Sequence, residues 1–198
     1  MTLMTPAQAV AQLLSLIVFA AIARWYVAPW LGRVSRAQAL TALLWLHVFR
    51  YVALQVFAAQ REGFPISQGG AMEIVAGDVA GAVLAFAGIA LLRARSRLAV
   101  PVVWVLALET IYDTYSNISG GVREHLMGAA TGVTWMVLSF FVPMVVVSGV
   151  LLVWQLVARR GEALDGRNSQ TTAPLLADVG RNFEFTPRVP TDRYEPVP

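Results

Sequence analysis

QALTALLWLHVFRYVALQVFAA, residues 38–59, is the stretch that decides the fold. A helix needs about 20 apolar residues at a 1.5 Å rise to cross a bilayer, and this stretch is that long. It does not alternate apolar and polar residues with period two. It is also too long for an outer-membrane strand of about 9–11 residues. In lipid the backbone must satisfy its own hydrogen bonds, so a helix is the spanning form that remains. Yet the stretch carries His47 and Arg50 near its middle. Ionisable groups at that depth are costly and are usually paired or functional.

Four more apolar stretches flank it, at about 8–31, 72–92, 98–117 and 129–157. The chain is 57% hydrophobic and 14% charged, with a mean hydropathy of +0.61. An average soluble domain is about 25% charged. The composition excludes a disordered chain. The absence of Cys excludes a disulfide scaffold and a thiolate metal site. The expected fold is all-α: a polytopic transmembrane bundle of five spans over residues 1–158. The early stretch has an A-x-A pattern at Ala21 and Ala23, as a leader would. Its first eight residues lack positive charge, however, and its apolar run continues to Leu31, so it reads as a span.

All 15 basic residues are Arg. Arg24, Arg33 and Arg36 follow the first span, Arg93, Arg95 and Arg97 the third, and Arg159 and Arg160 the fifth. Only Arg61 and Arg123 lie on the other side. This asymmetry predicts an outer N-terminus and a cytoplasmic C-terminus. The net charge of +3 is therefore a topology signal, and no nucleic-acid partner is expected. Trp25, Trp30 and Trp154 suit the cytoplasmic interface. Residues 159–198 are polar and Pro-containing, and are expected to be a disordered cytoplasmic tail unless a partner binds it. Leu175, Leu176, Phe183 and Phe185 are its candidate docking anchors.

Five ionisable residues fall inside the spans: His47, Arg50, Asp78, Glu109 and Asp113. With the topology above, all lie between the midplane and the outer face. Steps of 100° place His47, Arg50, Tyr51 and Gln55 in one stripe, and Glu109, Tyr112, Asp113 and Ser116 in another. Gly77, Gly81, Ala85 and Gly88 form a small-residue stripe, whose G-x-x-x-G permits close helix approach. Pro143 is expected to kink the last span. The candidate ligand- or proton-binding cluster is His47, Arg50, Asp78, Glu109, Tyr112 and Asp113. One Arg neutralises one of three carboxylates. The others must be protonated, paired with His47, or bound to water or a cation. At least one is therefore expected to exchange a proton near neutral pH.

Other chemistry has less support. Catalytic residues cannot be named, because no P-loop, G-x-S-x-G or H-E-x-x-H spacing occurs. A divalent metal held by His47 and carboxylates is a weaker reading, and no metal site is assigned. The sequence does not specify a cofactor. Trp45, Trp104 and Trp135 read as packing or interface residues, or as the lining of an apolar pocket.

Leu46-His47-Val48-Phe49-Arg50, followed by Gly77-Asp78, Trp104 and Asp113, and then Trp135 and Pro143, resembles an uncharacterised family of small bacterial polytopic membrane proteins. The resemblance covers about residues 38–150 and implies no known activity. In the fourth helix this chain has Glu109 among apolar and Thr neighbours, where the resembled pattern has Asn and Gly.

The expected function is an inner-membrane protein that binds a small ligand or proton, as a transport component or a subunit of a larger complex. The alternatives are a membrane enzyme using His47 with Glu109 or Asp113 on a lipid or quinone-like substrate, and a purely structural subunit. Five helices bury little surface alone, so the expected partners are the lipid bilayer, copies of itself or other membrane subunits.

Overall fold

The computed structural model describes residues 6–164. The predicted tail from residue 165 onward lies outside the described residues, together with its docking anchors. Among the described residues there are only helices, turns and loops. Five long helices follow one another: α1 (Ala7–Leu31), α2 (Arg36–Arg61), α3 (Gln68–Arg93), α4 (Ala99–Arg123) and α5 (Gly132–Ala158). Four of them, α1, α2, α3 and α5, are long and apolar enough to cross a membrane. The fourth in order, α4, is long enough, but Glu109, Asp113, Ser116 and Asn117 lower its apolar character.

Helix starts and stops follow local chemistry. Ser35 caps α2 through a capping box with Gln38, each bonding the other's backbone N–H. Ser67 caps α3 by accepting from the Gly70 N–H at 2.9 Å. The C-terminus of α3 closes with two reversed bonds, Ser96 N to Leu91 O at 2.9 Å and Arg95 N to Leu92 O at 3.1 Å. This pattern needs a left-handed residue, and Arg95 supplies it with φ 53°.

Three of the long helices are irregular inside. In α1 and α5, π-turns at Ala23–Val27 and Val137–Phe141 stand just before Pro29 and Pro143. Proline has no N–H to give, so a carbonyl upstream is orphaned. In α5 the Val142 N–H bonds Val137 O, which passes the missing partner to Leu138. Gln12 of α1 fills that gap, donating Nε2 to Leu138 O at 3.1 Å. Before Pro143, where the sequence predicts a kink, the helix carries a π-turn whose freed carbonyl is satisfied by a neighbouring helix. In α2 the stretch Phe49–Leu54 is a 3-10 helix. Its buried positions, Arg50 and Ala53, are three residues apart, as that geometry dictates, and His47 and Val56 continue the spacing on either side.

The bundle has two apolar cores. The larger joins Leu40, Leu43 and Leu44 of α2 to Ala85 and Ile89 of α3, Val103 and Leu106 of α4, and Leu152 and Leu156 of α5. The smaller, near the α2–α3 loop, holds Val56, Ile66, Ala71, Val75 and Leu126. α3 packs on α2 and α4, whereas α1 packs mainly on α5. Most of α1 is left exposed, including Leu13, Leu14 and Ile17. Residues just beyond α5 turn back onto the bundle. Arg159 donates to Leu31 O and Val34 O, both at 3.0 Å, and to Glu162.

Candidate functional site

Arg50 is 2% exposed and lies at the start of the 3-10 stretch of α2. Its guanidinium reaches between α3 and α4. Nε donates to Asp78 Oδ1 at 2.8 Å. Nη1 donates to Glu109 Oε2 at 2.7 Å and to Thr110 Oγ1 at 3.0 Å. Nη2 donates to Asp113 Oδ2 at 2.7 Å and to Glu109 Oε1 at 3.3 Å. A guanidinium has five N–H donors, and five bonds are made. Asn117, one turn beyond Asp113, donates Nδ2 to the same Oδ2 at 3.0 Å.

The glycines of α3 make this arrangement possible. A Cβ on Gly77 would overlap Asp113 Oδ1, and one on Gly81 would overlap Arg50 Nη1 and Cζ. The expected role of this pair was close helix approach. What fills their space is charged side chains from α2 and α4. Gly70 repeats the device, since its Cβ would overlap Glu124 Oε1. Gly88 differs, meeting Leu44 and Val103 in the large core.

The other candidates lie apart from the guanidinium. His47 is fully buried, and its Nε2 shares a 2.9 Å hydrogen bond with Ser148 Oγ of α5. Its Nδ1 is buried without a partner. Tyr112 is 72% exposed. The face of α4 that meets the bundle runs through Leu106, Thr110 and Asp113, so Tyr112 turns outward. Tyr51, expected in the Arg50 stripe, is exposed because the 3-10 step carries it off that face. Gln55 instead accepts from Thr134 Oγ1 of α5 at 3.1 Å. Trp45 and Trp104 are half-exposed at the bundle surface.

Three further residues join the picture. Thr110 and Asn117 sit beside or one turn from named carboxylates, and that proximity, not the helical period, is the signal that could have found them. Ser148 had no such signal, because it lies 101 residues from His47. Among the described residues no His, Cys, Asp and Glu group is arranged for a metal. Between the three carboxylates, the place of a cation is taken by Arg50.

Near the α2–α3 and α4–α5 loops a small cavity of about 10 Å³ opens, room for one water. Glu73, Ser116, Asn117, Gly120 and Glu124 line it, with Ile66, Ile74 and Leu126. Ser116 Oγ donates to Glu73 Oε1 at 2.6 Å, and Arg123 pairs with Glu73 at 3.3 Å. Glu124 accepts from Ser67 N at 2.8 Å and Ser67 Oγ at 2.7 Å. These bonds hold its carboxyl below the ordinary glutamate range.

A family model described as a domain of unknown function, DUF8737, matches residues 7–157. The chain belongs to this family. None of the curated proteins and none of the solved structures matches it. The DUF8737 match spans all five helices and contains every residue that bonds Arg50.

Proposed function

We propose that this DUF8737 protein holds a proton, or a small ligand in its place, on the Arg50 cluster, as a transport component or a subunit of a larger membrane complex. Charge balance carries the reading. Three carboxylates converge on one guanidinium. Fully ionised, they leave a formal excess of two negative charges in a region that resists even one. A proton on one of the three carboxylates reduces that excess.

In this reading the chain crosses a bacterial inner membrane five times, with the N-terminus outside and the C-terminus in the cytoplasm. The polar side of α4 is turned onto α2 and α3. Its outward side carries Val105, Leu108, Ile111 and Ile118, with the amphipathic Tyr112 and Tyr115 among them. That division supports α4 as a span sheltered by its neighbours. The natural chain lacks Cys, so single introduced cysteines at Gly63, Ser96 and Gly128 report the sidedness of the loops directly.

Infrared difference titration of the protein in lipid nanodiscs tests the proton site. The expected result is a protonated carboxyl band that titrates near neutral pH and is lost in Asp113→Asn or Asp78→Asn. A second reading, a purely structural network, is favoured by the use of all five Arg50 donors. Carboxylates that stay ionised across the titration would support that reading and overturn the first.

A further inference from the structure

The Arg50 cluster is closed on its inner side by the large apolar core and by the His47–Ser148 pair. On its outer side the α3–α4 seam carries polar groups at each level. Outermost, Glu124 fills the space beside Gly70. Next, Glu73, Ser116, Asn117 and Gly120 line the water-sized cavity, together with Ile66, Ile74 and Leu126. Then Asn117 bonds Asp113, which fills the space beside Gly77. Last come Arg50 and Glu109 beside Gly81. Asn117 belongs to both the cavity wall and the cluster, so its side chain is the link between the cavity and Asp113.

We propose that this seam is the access route for protons, running from Glu73, one level in from Glu124, through a water in the cavity oriented by Ser116 and Asn117, to Asp113. The inference rests on the proton-binding reading above. The step is a simple transfer: a hydronium in the cavity gives its proton to an Asp113 carboxylate oxygen and is left as water. Asp113 Oδ2 already accepts from both Arg50 and Asn117. The oxygen beside Gly77, Oδ1, is the acceptor the seam leaves for the incoming proton. The charged groups acting on Asp113 are Arg50 of α2, Asp78 of α3 and Glu109 of its own helix. Those around Glu73 are Arg123 at 3.3 Å and, across the same cavity, Glu124. Glu73 and Asn117 are positioning residues here, because the proton comes to rest on neither.

A pH jump followed by time-resolved infrared spectroscopy of the full chain in nanodiscs tests the route. Glu73→Gln and Ser116→Ala are expected to slow carboxyl protonation by about tenfold or more, while the final amplitude is still reached. Asn117→Leu, which plugs the cavity with an apolar side chain, is expected to slow it further. Gln55→Leu, on the other side of α2, is expected to leave the rate unchanged. Rates equal to wild type in Glu73→Gln and Asn117→Leu, with an intact wild-type titration, overturn the route alone. A wild type with no titrating carboxyl overturns the proton-binding reading itself. Glu73→Gln is conservative and exposed, so it decides the matter if Asn117→Leu does not fold.

Discussion

The carboxylate of Asp113 occupies the space that a side chain on Gly77 would need. One residue's absence of a side chain is thus the seat of another's charge, and the two must change together.

Gly→Ala inside a helix ordinarily stabilises by about 1 kcal/mol. At Gly77 and Gly81 the sign is expected to reverse, because the new methyl displaces Asp113 or Arg50. The net cost is expected to be about 1–3 kcal/mol, typical of overpacking. Gly69→Ala, on the exposed side of the same helix, meets only Ser67 Oγ at 3.8 Å, and should show the ordinary stabilisation. Thermal melting of the three variants in one detergent compares them. A destabilised Gly69→Ala with neutral Gly77→Ala would contradict the packing.

Arg50→Met removes the sole cation among three carboxylates. Breaking such a buried network from one side costs about 3–5 kcal/mol. Adding Asp78→Asn and Glu109→Gln to Arg50→Met removes the stranded charges, and should restore much of the loss. Arg50→Lys has three donors for a site that uses five, so it should fall between wild type and Arg50→Met. Denaturation midpoints would rank the variants.

Ser148→Ala leaves the His47 ring with neither nitrogen bonded, since Nδ1 is already alone. An orphaned buried polar group costs about 1–3 kcal/mol. His47→Leu added to Ser148→Ala should recover part of it, because both polar partners are then gone. A double-mutant cycle on unfolding free energies measures the coupling.

Glu124 has a lowered pKa because Ser67 donates both its backbone N–H and its hydroxyl to the carboxylate. A carboxylate whose folded pKa is depressed contributes stability above its unfolded pKa. The contribution is lost as pH falls through the folded value. The acid limb of the melting profile, from the ordinary value of 4.5 downward, should therefore be flatter in Glu124→Gln than in wild type. Parallel limbs in the two proteins would exclude the contribution. Glu162, lowered by its bond from Arg159, predicts the same sign at the other end of the bundle.

Hydropathy made the helices legible, since nothing but a helix suits such long apolar runs. Charge counting brought Arg50, Asp78, Glu109 and Asp113 under suspicion, and the structure places all four in one network. What the sequence hid was helical phase. A constant 100° step put Tyr51 with Arg50 and Tyr112 with Asp113. The first failed because residues Phe49–Leu54 are wound more tightly than an α-helix. The second failed because the facing stripe of α4 runs through Thr110 and Asn117, which a period alone does not select. His47 and Ser148 are distant in sequence, so local spacing carried no sign of their bond. The glycine stripe was visible, but whether backbone or side chain would fill its hollow depends on residues from two other helices.

The tight winding of Phe49–Leu54 also sets how α2 meshes with its surroundings. A 3-10 helix advances about 2.0 Å and 120° per residue, against 1.5 Å and 100° in an α-helix. Over six residues this lengthens α2 by about 3 Å and turns its upper half by about 120° relative to its lower half. The half below engages the large core, and the half above engages the small one. Arg50 stands at the seam between two screw phases of one helix. Unwinding that stretch to a regular α-helix would throw one core out of register with the other, and the charged layer lies at the level where that change of phase is made.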